Sequence, residues 1–123
     1  MTKQADVETN HARGIRAEEQ ASSYLRRKGF KILRKRYKTK FGEIDLIIQK
    51  GKLLCFIEVK ARKSTSAALE SIKSRAQMRI EKSALFFLSE NPNYIDFDMR
   101  FDVVAITGGG KITHLDNAWE ARI

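Results

Sequence analysis

Residues 43–60 read EIDLIIQKGKLLCFIEVK: two short apolar runs separated by Gln49-Lys50-Gly51-Lys52. Runs of this length and composition predict β-strands, and a Lys50-Gly51 step between them fits a tight hairpin connection. The stretch therefore predicts an antiparallel pair, residues 42–49 and 52–60, among the most buried segments of the chain. Glu43, Asp45, Glu58 and Lys60 sit inside these same strands. A carboxylate is costly to bury unless it is paired or holds a metal, so the hairpin already restricts both fold and chemistry.

The rest of the chain organises around it. Helical spacing runs from about His11 to Lys28, with Gly29 placed as a C-cap. Residues 30–37 alternate loosely and predict a strand with one basic face, near a sheet edge. A second helix is expected over 68–89, with Ile72, Ala76, Ile80, Ala84 and Phe87 as its core stripe and Asn91-Pro92-Asn93 as its stop. Strands follow at 97–106 and 111–115, joined by Gly108-Gly109-Gly110. The order α-β-β-β-α-β-β predicts an α/β fold with a mixed sheet flanked by helices, the strand after the crossover helix lying parallel to the third strand. Residues 1–9 read as a flexible arm and 10–123 as one domain.

The 123 residues carry a formal charge of +9, and residues 26–40 hold nine Lys or Arg without one acid. That density suits a polyanion, because neutralised phosphates release counterions. A single cysteine, Cys55, excludes a disulfide within one chain and a cysteine-based zinc site, and its apolar setting marks it as core. No apolar stretch approaches a membrane span, and the polar first residues lack a signal-peptide core. The expectation is a cytoplasmic protein with a nucleic-acid partner and no membrane.

Strict alternation puts Glu43, Asp45 and Ile47 on one face of the second strand and Ile44, Leu46 and Ile48 on the other. In the third strand Leu54, Phe56, Glu58 and Lys60 share a face. A hairpin centred at Lys50-Gly51 sets Asp45 roughly opposite position 56 or 58, so Asp45, Glu58 and Lys60 converge near the strand ends. Two readings follow: cross-strand ion pairs on a solvated face, or a site for a hard divalent cation, which takes one or two carboxylates. On the first helix, Glu18 falls within the apolar arc and Glu19 outside it. A third, core-facing carboxylate favours the cation.

These segments carry a resemblance. Gly42-Glu43-Ile44-Asp45 followed by Phe56-Ile57-Glu58-Val59-Lys60 resembles the PD-(D/E)XK nuclease signature, with Asp45 as its Asp and Glu58-Val59-Lys60 as its E-x-K. Together with Gly14-Ile15-Arg16-Ala17-Glu18, Tyr24-Leu25, Arg100-Phe101-Asp102-Val103-Val104-Ala105, His114 and Asn117-Ala118, the chain more narrowly resembles the YraN family of predicted endonucleases. The resemblance implies a restriction-endonuclease-like core. It implies Mg²⁺ (or Mn²⁺) held by Asp45, Glu58 and the Val59 carbonyl, Lys60 assisting the attacking water, and Glu18 as the acid of the first helix. This sequence departs from the pattern at Ala17, where a second Gly is usual, at Ile44, where the superfamily name has Pro, and at Ala76, where a Lys is frequent beside Gln77.

The expected function is a divalent-metal-dependent endonuclease acting on DNA, with branched DNA a plausible target. The alternative is a non-catalytic nucleic-acid-binding module on the same fold. Arg34, Lys35, Arg36, Lys38, Lys40, Arg62, Lys63, Gln77 and Arg79 are the candidate nucleic-acid contacts. A homodimer would suit a junction cutter, although no dimer surface is readable. Asp102, His114, His11 and Trp119 read as structural, and Glu43 stays unassigned between metal, ion pair and solvent.

Overall fold

The computed structural model describes residues 8–122. Its elements are α1 (Asn10–Arg27), β1 (Lys31–Lys38), β2 (Glu43–Lys50), β3 (Leu53–Ala61), α2 (Thr65–Glu70), α3 (Ser74–Glu90), β4 (Asp98–Thr107) and β5 (Lys111–Leu115). The five strands form one mixed sheet in the order β1-β2-β3-β4-β5. All neighbours are antiparallel except β3 and β4, which run parallel. The parallel pair requires a crossover, and α2 and α3 supply it.

Helix α1 starts where the Thr9 hydroxyl accepts the Ala12 N–H at 3.0 Å and carries Arg26 and Arg27 in its last turn, where cations suit the helix dipole. Gly29 follows with φ +93°, a conformation that costs glycine nothing. Of the expected N-terminal arm, residues 1–7 lie outside the described residues; Thr9 is the α1 cap and Glu8 binds Arg16.

Ala17, Ala21 and Leu25, spaced four apart, pack α1 against Leu46, Ile48, Cys55, Ile57 and Val104 on one face of the sheet. On the other face Ile80, Ala84, Phe87 and Leu88 of α3 pack against Ile44, Ile47, Leu54, Phe56 and Phe101. Both faces of β2, β3 and β4 are thus covered, which is why those strands read as near-continuous apolar runs.

Two expectations are corrected. The helix expected over 68–89 is two helices, so the order is α-β-β-β-α-α-β-β. Ile72 sits in the break instead of in a continuous stripe. The Ser71 hydroxyl donates to the Ala68 carbonyl at 2.7 Å and the Gln77 amide donates to the Ile72 carbonyl at 3.1 Å, local bonds that compete with the helical ladder. Strict alternation also fails in β2. Leu46 and Ile48 face α1, but Ile44 and Ile47 both face α3. The facing strand is irregular too, with a bulge between Ile32 and Arg34 and Arg36 at φ 53°. The pleat changes phase between Ile44 and Leu46, at Asp45.

Candidate active site

The register Leu46↔Ile57, Ile47↔Phe56 places Asp45 opposite Glu58, and regular β2–β3 pairing ends at Leu46↔Ile57. Beyond that point β3 stays paired with β4, through Glu58↔Val103 to Ala61↔Ile106. The sheet therefore forks at Asp45 and Glu58. Asp45 fills the fork with its side chain: a carboxylate oxygen accepts the Val59 N–H at 2.8 Å. In an extended strand a residue's N–H and C=O point the same way. The Val59 carbonyl thus faces the fork as well, beside the two carboxylates. Lys60 Nζ lies 3.4 Å from the Glu58 carboxylate.

Glu18 approaches from α1, its side chain 16% exposed, with the Arg36 guanidinium 3.8 Å away. It shares a cavity of about 440 Å³ with Val59, Arg13, Gly14 and Arg62. Its neighbour Glu19 points outward and pairs with Lys35 at 3.0 Å. Glu43, half-buried at the start of β2, has no hydrogen bond or ion pair among the described residues, and its charge acts on both Asp45 and Glu18.

These carboxyl groups are hard to ionise together. Burial pushes Glu58 up to about 8, and the nearby Asp45 charge adds to that despite Lys60. Burial likewise raises Asp45, against the Val59 N–H that favours its anion. Burial, then the Asp45 charge, push Glu18 up to about 7. Two facing carboxyl groups either share a proton or take a cation between them. The donor set is all oxygen, as Mg²⁺ or Mn²⁺ prefers. Among the described residues no three His, Cys, Asp or Glu gather closely enough to hold an ion alone. The available set is therefore two carboxylates and a carbonyl, a count that suits an ion retaining much of its water.

The expected nucleic-acid contacts divide. Arg34 donates to the Leu33 carbonyl at 2.9 Å and lies over the Phe87 ring. Lys35 and Arg36 face Glu19 and Glu18. Lys38, Lys40, Arg62, Lys63 and Arg79 are exposed, Arg79 lying against Gly42. Gln77 is engaged by the Ile72 carbonyl and by Arg122 at 2.9 Å and makes no polar contact with the carboxylate centre.

Three further residues lie outside the centre. Asp102, fully buried, accepts from Arg100 through both oxygens at 2.9 Å, contacts His114 Nε2 at 2.7 Å and accepts the Asn117 N–H at 2.9 Å. Burial opposes its charge, but these bonds outweigh burial and hold its carboxyl below the usual range. Trp119 stacks on Phe101 and donates to buried Glu81, which Arg122 also binds at 2.8 Å. Cys55 is core, its thiol pushed up to about 12 by burial. His11 is exposed. Sequence reading missed Arg13 and Gly14 as cavity residues. The signal was available, since they lie one helical turn before Ala17 and Glu18.

The five-stranded mixed sheet, flanked by helices, defines an α/β protein consistent with a restriction-endonuclease-like fold. A family model described as "Uncharacterised protein family UPF0102" matches residues 17–106. The chain belongs to this family, which is the YraN family of the resemblance above. It is 43% identical over 106 residues to a UPF0102 protein of Parvibaculum lavamentivorans, covering 86% of this chain and 80% of that protein. It is 43% identical over 112 residues to a UPF0102 protein of Mesorhizobium japonicum, covering 91% and 90%. A UPF0102 protein of Rhodopseudomonas palustris is 41% identical over 108 residues, covering 88% and 80%. Among the described residues, no helix is long and apolar enough to cross a membrane.

Proposed function

We propose that this protein is a divalent-metal-dependent endonuclease that hydrolyses DNA phosphodiesters. The observation that carries the reading is the forked sheet. It brings Asp45, Glu58, Lys60 and the Val59 backbone together at the one place where β2 leaves β3. Asp45, Glu58 and the Val59 carbonyl would hold the cation. A bound Mg²⁺ or Mn²⁺ supplies charge that polarises the phosphodiester and steadies the leaving oxygen.

In the reaction, water adds to phosphorus, one ester P–O bond breaks, and the water's proton ends on the departing oxygen. Lys60, one residue past the Val59 carbonyl, orients the attacking water. Glu18 lines a cavity together with Val59, and a carboxyl raised to about 7 can hold or release a proton near neutral pH. Exposed Lys38, Lys40, Arg62, Lys63 and Arg79 grip phosphates. Such contacts position a strand without reading its sequence, which supports selection by shape, as at branched DNA. If two strands are cut at a junction, a homodimer is the working form.

The test is cleavage of junction, flap, duplex and single-stranded DNA with Mg²⁺ or Mn²⁺. Asp45→Asn should abolish cleavage and retain binding. Undiminished cleavage by that variant would refute the assignment. Binding by wild type with no cleavage of any substrate would favour the non-catalytic nucleic-acid-binding module.

A further inference from the structure

A second cavity, of about 480 Å³, adjoins the one beside Glu18. The two share Arg13, Ala17, Ala61 and Arg62 as a common wall. The second is bordered further by Arg16 and Lys63 and reaches the Gly108–Gly110 turn. The two cavities therefore adjoin along α1 and the end of β3, and together they form a groove that runs from Glu18 and Val59 past the four cations Arg13, Arg16, Arg62 and Lys63. Its acids are Glu18 at one end and Glu8, which occupies the Arg16 fork at 2.7 and 2.9 Å. A carboxylate in that fork occupies the geometry in which arginine takes a phosphate.

Gly14 supplies an independent observation. It lies inside α1, where glycine is a poor choice. It has no positive φ, and a Cβ placed on it would meet nothing within 4 Å. Among the described residues, neither backbone conformation nor packing asks for glycine there. It borders the Glu18 cavity, and a missing side chain lets a ligand's backbone come close.

We infer that this groove seats the sugar-phosphate backbone of a nucleic-acid strand, with Arg13, Arg62 and Lys63 on successive phosphates flanking the one cut and Gly14 at the closest approach. The inference deepens the nuclease reading and rests on it for the words "the one cut"; strand binding itself stands apart from catalysis. It routes the strand along α1 and the end of β3, keeping Arg62 and Lys63 of the expected contacts and adding Arg13, and leaves aside Arg34, Lys35 and Arg36 of β1, which are engaged within the protein.

The experiment is fluorescence anisotropy of a labelled single-stranded oligonucleotide, in EDTA, across a salt series. Arg13→Gln/Arg62→Gln should weaken binding at least roughly tenfold and make the log–log salt slope shallower by about 1.4, at ~0.7 for each phosphate no longer neutralised. Arg26→Gln/Lys31→Gln removes the same charge at the far end of α1 and should change both far less. Gly14→Ala should raise the thermal midpoint of the free protein and still weaken oligonucleotide binding several-fold. Equal losses in the two double variants, wild-type affinity in Gly14→Ala, or no binding by wild type would each overturn the inference. Cleavage with Mg²⁺ separates the two readings. No cleavage by wild type with groove-dependent binding defeats the nuclease and keeps the groove. Cleavage that the groove variants leave intact does the reverse.

Discussion

Replacing Glu58 by glutamine should stabilise the metal-free protein at pH 8 and leave it nearly unchanged at pH 4. Glu58 is raised from 4.5 to about 8, chiefly by burial and then by Asp45. Below about pH 4.5 the folded and unfolded chains both carry its proton, and the carboxyl has no differential effect. Between there and about pH 8 the unfolded chain ionises while the folded chain keeps the proton. The folded state then binds more protons, so stability falls as pH rises. At 1.36 kcal/mol per pH unit, the whole interval corresponds to roughly 5 kcal/mol. The side chain keeps 15% exposure and Asp45 shares the proton, so we expect about half of that, ~2 kcal/mol, from the same relation.

Urea unfolding in EDTA of wild type and Glu58→Gln at pH 4, 6.5 and 8 reads this directly through the midpoints. The two curves should nearly coincide at pH 4 and separate steadily toward pH 8, the variant being the more stable. Added Mg²⁺ should stabilise wild type at pH 8, because a ligand that binds only the folded state adds to its stability, and should stabilise the variant less. A variant that is less stable than wild type at pH 8, or a gap independent of pH, would refute the reasoning. Glu58 would then be a favourable partner of Lys60 and not a strained carboxylate awaiting a cation.

Asp102→Asn should cost about 3 kcal/mol, since it leaves Arg100 and His114 without their buried anion. Because the Asp102 carboxyl is held below its ordinary range, its stabilisation is present above about pH 4 and lost as pH falls further, so the variant should also flatten acid unfolding followed by circular dichroism. Deleting residues 119–122 removes the partners of Glu81, and denaturant titration should show a loss of about 3–5 kcal/mol. Glu8→Gln should tighten oligonucleotide binding at low salt by freeing the Arg16 fork; unchanged anisotropy would show that the fork takes no phosphate.

The hairpin was legible because both of its strands are covered on two faces, which writes long apolar runs into the sequence. Glu18 was legible because a helix wheel separates it from Glu19 by about 100°. The phase change at Asp45 was not. It coincides with Arg36 at φ 53° in the neighbouring strand, and neither glycine nor proline marks the spot. The break between α2 and α3 was hidden for the same reason, since serine and glutamine side chains make it where a reader looks for Gly or Pro. The basic run at 26–40 misled in another way. Composition counts cations without saying which are already engaged, and Lys35 and Arg36 face acids of α1.

The tail clamp on α3 also has a consequence for biosynthesis. Glu81 belongs to the middle of a helix, but the groups that neutralise it stand about forty residues later, at Trp119 and Arg122. While the chain emerges from the ribosome N-terminus first, α3 is complete long before its buried carboxylate has partners. The α3 face of the sheet therefore closes late, after residues 119–122 are free. Until then no partner offsets the burial of Glu81, and apolar packing alone holds α3 to Phe56 and Phe101.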